Sequence, residues 1–270
     1  MSLAPVAAGQ GVSWAGLRHF FEHQLRRYRR TWRGTVTTGL ANPVIYLLAL
    51  GVGLGSLIDG GGRGDLGAAT SYVEFVAPGL LAAAAMQSAS LESLWPTLGA
   101  LKWEGTYQAV LCTPLTAAEL ATGHLAWIGF RIAVAASLYT AVVTAWGIPR
   151  SPWTVLAVPV AVLTGLAFAA PLSAFAARQD TDEVFPLIRE GFVIPLFLLS
   201  GAFFPVSQLP AGPEAVARIT PLWHGVTLGR DLMLGSVSPA GALGHVAYLL
   251  GFVVVGWWLA VRSFAARLTA

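Results

Sequence analysis

Six stretches of this chain are each long enough and uncharged enough to cross a bilayer, and together they leave almost nothing over for a soluble domain. The clearest, from Val36 to Ile58, contains no charged side chain. A hydrocarbon core about 30 Å thick requires roughly 20 apolar residues at about 1.5 Å of rise each, so a run of this length spans it as a helix. The predicted fold is an all-α integral membrane protein with six transmembrane helices, over residues 36–58, 75–95, 125–147, 153–177, 187–204 and 242–262.

Composition agrees. Hydrophobic residues make up 56% of the chain and charged residues 11%, where a soluble domain carries roughly 25% charge. That balance argues against a water-soluble fold. The net charge of +3 does not imply nucleic acid, because the basic residues follow membrane topology instead of forming a patch with interleaved polar contacts. Cys112 is the single cysteine, which excludes an internal disulfide framework and a multi-cysteine metal site. His19, His23, His124, His224 and His245 show no ligand spacing, so no metal is expected. Met1 to Gly16 lacks a basic start followed by an apolar core, and the first span is expected to serve as its own insertion signal.

Lysine and arginine set the orientation. With the N-terminus in the cytoplasm, the inner side collects Arg18, Arg26, Arg27, Arg29, Arg30, Arg33, Lys102, Arg178, Arg189, Arg262 and Arg267. The outer side receives Arg63, Arg150, Arg218 and Arg230, while Arg131 falls inside the third span near its inner edge, within reach of snorkelling. The positive-inside rule then predicts both termini in the cytoplasm.

Two regions are predicted: a cytoplasmic N-terminal arm over residues 1–34 and a six-span domain over 35–270. In the arm, Trp14, Leu17, Phe21, Leu25, Tyr28 and Trp32 recur at spacings of three and four and share one helix face, opposite an Arg-rich face. Such a helix lies in the headgroup region with its rings at the acyl boundary, the alternative being an amphipathic helix packed on a partner. The only sizeable inner loop, about residues 96–124, carries Lys102, Trp103, Glu104, Tyr107 and Glu119, with a short helix expected before Pro114. Residues 205–241 lie outside. Pro205, Pro210, Pro213, Pro221 and Pro239 interrupt this segment too often for it to span. It is also apolar enough to dip into the outer leaflet, where neighbouring protein can satisfy its backbone.

Catalytic motifs are scarce. A P-loop needs glycines followed by a phosphate-binding lysine, but the one lysine, Lys102, follows Leu101. Gly51 and Gly55 form a small-xxx-small pair within an apolar run, which serves close helix packing. No G-x-S-x-G motif occurs, and the chain is not expected to be an enzyme. Ion-coupled carriers place acids or histidines near the bilayer centre. Here Glu74 and Glu92 only flank the second span, which disfavours that class.

The text FLLSGAFFPVSQL from Phe197 to Leu209, followed by Pro210, Arg218, Pro221 and RDLMLG from Arg230 to Gly235, resembles the ABC-2 family of transporter permeases. Its look is closest to the branch of nodulation lipo-oligosaccharide exporter and daunorubicin-resistance permeases. The arm, ANPVIYLLALGVGLG from Ala41 to Gly55, and EGTYQAVLCTPLTAAEL from Glu104 to Leu120 agree in order, so the likeness covers about residues 14–265. It implies a half-transporter that pairs with a second permease chain, identical or different, and with two copies of an ABC ATPase.

This chain would then bind no cofactor itself; ATP and magnesium would reside on the partner. By the same resemblance, Lys102 to Leu111 would form a coupling helix seated on the ATPase, with Lys102, Trp103, Glu104, Tyr107 and Leu111 as its contacts. Pro205, Pro210, Arg218, Pro221 and Arg230 would belong to re-entrant outer helices. Tyr46, Met86, Phe197 and Phe203 offer an adaptable apolar path. The implied function is export of a drug, glycolipid or lipo-oligosaccharide across the bacterial plasma (inner) membrane. Polysaccharide export and ion-coupled transport are the alternatives.

Overall fold

The computed structural model describes residues 14–55, 69–105, 107 and 115–269, and every regular element among them is helical. Helix α1, Trp14–Tyr46, continues as a π-helical stretch over Leu47–Leu54. It is followed by α2, Tyr72–Ser93, and α3, Ala117–Ala145. A 3₁₀ turn over Pro152–Leu156 leads into α4, Ala157–Ala176. Next come α5, Val184–Ile188, and α6, Ile194–Leu199, joined through a π turn at Arg189–Val193. The proline-rich segment forms α7, Ala211–Ile219, and α8, Pro221–Leu234, and α9 follows over Pro239–Thr269.

Helix starts follow local chemistry. The Ser71 hydroxyl accepts from the Glu74 amide at α2. At α3, Thr116 and Glu119 form a reciprocal capping box, the Glu119 carboxylate accepting from the Thr116 amide at 2.7 Å. Thr220 caps α8 with Pro221 in its first turn, and left-handed Gly235 ends it, the amides of Gly235 and Ser236 both donating to the Asp231 carbonyl.

Helix α4 is the hub and packs on α2, α3, α8 and α9. Its buried face is small: Ala157, Ala161, Ala167, Ala169 and Ala170 let neighbouring backbones come close, as membrane interfaces require. At Gly79 of α2 an added Cβ would stand 2.6 Å from the Cα of Ala202, so α2 touches the turn after α6 backbone to backbone.

Ala117–Ala145, Pro152–Ala176 and Pro239–Leu268 are long and apolar enough to cross a membrane and overlap the expected third, fourth and sixth spans, the third helix beginning at residue 117 within the expected inner loop and not at 125. The others differ in shape. No break separates arm from first span at residues 34–36, because α1 runs through the junction; residues 56–58 lie outside those described. The second span does not stop at residue 95: a helical turn at Trp95–Leu98 and a π turn at Gly99–Trp103 extend it. The fifth starts at Val184, winds as a π-helical stretch over Arg189–Val193, and ends at Leu199, short of residue 204.

The aromatic face of the arm is partly used within the chain. Phe21 meets Trp127 and Phe130 of α3 edge to face, each at 5.4 Å, and Tyr28 meets Trp127 at 5.5 Å. Trp14 and Trp32 stay exposed. Ring–ring geometry favours such pairs over burial area alone, which is why these two rings find α3.

Candidate coupling surface and outer hairpin

Residues assigned by charge to opposite membrane sides gather at opposite ends of the bundle. At one end Arg150 pairs with Glu74 at 2.7 Å, and its amide donates to the Met233 carbonyl at 3.0 Å. At the other, Asp180 in the α4–α5 turn collects two cations. Arg267 of α9 donates to its carboxylate at 2.7 Å, while Lys102 Nζ donates to its backbone carbonyl at 2.6 Å and sits 4.0 Å from the carboxylate. The Arg267 hydrogen bond and charge, then the Lys102 charge, hold the Asp180 carboxyl below its ordinary range. Nearby, the Trp95 indole donates to Asp182 at 3.2 Å and Arg178 donates to Ser263 at 2.9 Å. The α2 extension, the α4–α5 turn and the end of α9 thus form one surface.

Lys102 and Trp103 ride at the tip of that extension. The Glu104 amide closes its last turn onto the Gly99 carbonyl at 2.8 Å, and Gly105 follows with φ 61°, a left-handed conformation that suits glycine. Trp103 is 58% exposed and Glu104 is exposed beside it. Tyr107 departs from the expected pattern: it is 3% exposed, turned inward onto Phe20, His124 and Phe264. Its hydroxyl lies 2.9 Å from Nδ1 of His124, a partner that holds the ring inside the chain. Leu111 and the short helix expected before Pro114 lie outside the described residues.

At the end where Arg150 meets Met233, Arg230 of α8 donates to the carbonyls of Phe75 and Gly201, and its guanidinium lies 3.8 Å from the centre of the Phe75 ring. Arg218 pairs with Glu214 one turn earlier on α7. Pro205 and Pro210 stand in extended conformation before a 3₁₀ turn and before α7, where a missing amide donor is harmless. The segment packs on α2, α4 and α9.

Of the path candidates, Tyr46, Phe197 and Phe203 come together, Tyr46 to Phe197 at 6.3 Å and Phe197 to Phe203 at 4.8 Å, both edge to face. Met86 is fully buried in the helix core. Sequence reasoning missed Asp180 and Arg267 as partners and placed His124 in a loop. The Thr116–Glu119 spacing of a capping box could have set it two turns inside α3.

The model of the family described as ABC-2 type transporter matches residues 17–234. Nodulation protein J of Rhizobium meliloti (strain 1021) is 33% identical over 248 residues, spanning 90% of this chain and 92% of the relative. Nodulation protein J of Rhizobium leguminosarum bv. viciae is 31% identical across 99% of both chains. Inner membrane transport permease YadH of Escherichia coli (strain K12) is 23% identical, covering 94% of this chain and 98% of that protein.

Proposed function

The chain belongs to the ABC-2 type transporter family, and on that premise we propose that it is the permease half of an ATP-driven exporter for an amphipathic or lipid-like cargo. Nucleotide is hydrolysed on a separate ABC ATPase, two copies of which bind the cytoplasmic end of a permease pair. The chain crosses a bacterial inner membrane six times with both termini inside. The gathering of Lys102, Arg178 and Arg267 at one end and of Arg150 and Arg230 at the other supports that topology.

Trp103 and Lys102 are the contacts for the ATPase, because they are exposed at the tip of a helical extension that joins α2 through a bend at Leu94. Force applied there acts through that bend on a helix of the core. Tyr107 anchors the loop from within. Tyr46, Phe197 and Phe203 line the cargo path, since three adjoining rings with rotatable edges accommodate an acyl chain or a drug ring system. Met86 contributes packing.

The observation that carries this reading is the family match over 218 aligned positions, from 17 to 234, joined to an exposed aromatic-basic tip on the inner end. The experiment is co-purification. A tagged chain in detergent should retain an ABC ATPase produced from an adjacent gene, and Trp103→Ala should weaken that retention without loss of membrane insertion. Wild-type chain that retains no ATPase sinks the proposal.

A further inference from the structure

The inner loop and two core helices meet at one buried imidazole. His124, on the second turn of α3, is 3% exposed, and both its ring nitrogens are engaged: Nδ1 lies 2.9 Å from the Tyr107 hydroxyl and Nε2 lies 3.0 Å from the Thr97 hydroxyl. Thr97 is fully buried in the helical turn that extends α2. The ring also packs against Phe264 of α9 at 6.1 Å. With one proton on the imidazole, one nitrogen donates and the other accepts. The chain therefore runs either Tyr107 to Nδ1 with Nε2 to Thr97, or in the reverse sense, and either direction engages both ring nitrogens.

Buried polar chains of this kind hold their members tightly, because breaking one contact strands a donor or acceptor away from water. Here the members belong to different segments. Tyr107 follows Gly105, His124 belongs to α3, and Thr97 to the Trp95–Leu98 turn beyond α2.

We infer that His124 is the positioning residue through which movement of the inner loop is passed to α2 and α3. The hydrogen bonds act in series, from Tyr107 through the imidazole to Thr97. This inference rests on the coupling role of the Lys102–Trp103 tip and adds a second path beside the α2 extension.

The test uses the permease bound to its ATPase in lipid nanodiscs, with hydrogen exchange read over residues 86–98 and 117–128, with and without vanadate-trapped ATP. In the wild type, trapping changes exchange in both segments. Tyr107→Phe and Thr97→Val each remove one hydroxyl and keep the shape of the side chain. Each single variant should shrink the response about fivefold, the scale of one net hydrogen bond in an equilibrium. The double variant should be no worse than either single, because a series chain is already cut, whereas independent structural damage adds.

His124→Leu should give the same loss if it folds, and the two single variants decide the matter if it does not. A response undiminished in Tyr107→Phe and Thr97→Val while the ATPase stays bound overturns the role of His124 alone. Additive losses in the double variant overturn it as well. A wild-type chain that binds no ATPase overturns the coupling reading beneath it.

Discussion

Arg230 donates to the backbone carbonyl of Gly201 at 2.8 Å, and this bond ties α8 to the turn that follows α6. The same guanidinium reaches the Phe75 carbonyl and covers the Phe75 ring, so one side chain fastens α8 to α2 as well. The planar fork of arginine suits two carbonyls and a ring face at once, which an ammonium does not. Replacing Arg230 with Ala should destabilise the protein by about 2–4 kcal/mol, from charge-assisted hydrogen bonds of roughly 1.5–3 kcal/mol plus cation–π attraction. Arg230→Lys should recover only part. Thermal unfolding of the purified protein in detergent checks both, and a melting temperature unchanged in Arg230→Ala would contradict the fastening role.

The turn itself depends on Gly201. Its φ of 78° lies in the left-handed region, and an added Cβ would stand 2.6 Å from Cγ2 of Val206. Gly201→Ala should therefore cost about 1–3 kcal/mol through backbone strain and crowding together. The neighbouring Ser200, already bonded to the Phe197 carbonyl at 2.8 Å, should tolerate Thr better than Gly201 tolerates Ala. Comparing the melting temperatures of the two variants decides it.

Trp103 and Tyr107 should separate cleanly. Trp103→Ala removes an exposed ring and should leave the melting temperature nearly unchanged while ATPase retention falls. Tyr107→Ala opens a cavity among Phe20, His124 and Phe264 and should cost about 3–5 kcal/mol, the range for large buried aromatics. Equal stability losses in the two variants would show that they share one environment, against the burial found for Tyr107 alone.

The Asp180 clasp gives a pH prediction. Its folded-state carboxyl titrates below the ordinary value because Arg267 and Lys102 favour the charged form. The clasp therefore contributes fully above the ordinary aspartate range, near pH 4, and is lost as pH falls through the depressed folded value. Between pH 6 and 8 it should not change. Asp180→Asn should loosen the end of α9 at neutral pH, seen as faster hydrogen exchange around Arg267, and the difference from wild type should vanish in strong acid. Because the carboxylate is solvent-exposed, high salt should also reduce that difference.

Much of this was legible in the chain. Long apolar runs marked 125–147, 153–177 and 242–262, which overlap the helices Ala117–Ala145, Pro152–Ala176 and Pro239–Leu268, and the proline spacing marked the segment that folds as the short helices α7 and α8. The arm's ring face at Phe21 and Tyr28 was visible as periodicity, but its target was not, because Trp127 and Phe130 lie about a hundred residues later. Tyr107 was misplaced for a similar reason. An aromatic residue in a loop reads as an anchor for a partner until a buried hydroxyl acceptor such as His124 turns it inward. The continuity of α1 and the π-winding of the fifth span belong to local helix geometry, which hydrophobic content does not encode.

The most direct test is ATP-driven movement of a probe. Inside-out vesicles holding the chain with its ATPase should accumulate fluorescent daunorubicin or a short-chain fluorescent glycolipid when ATP is added, and should stop when the ATPase P-loop lysine is replaced. Accumulation that persists with the hydrolysis-dead ATPase, or with no ATPase present, would contradict an ATP-powered permease.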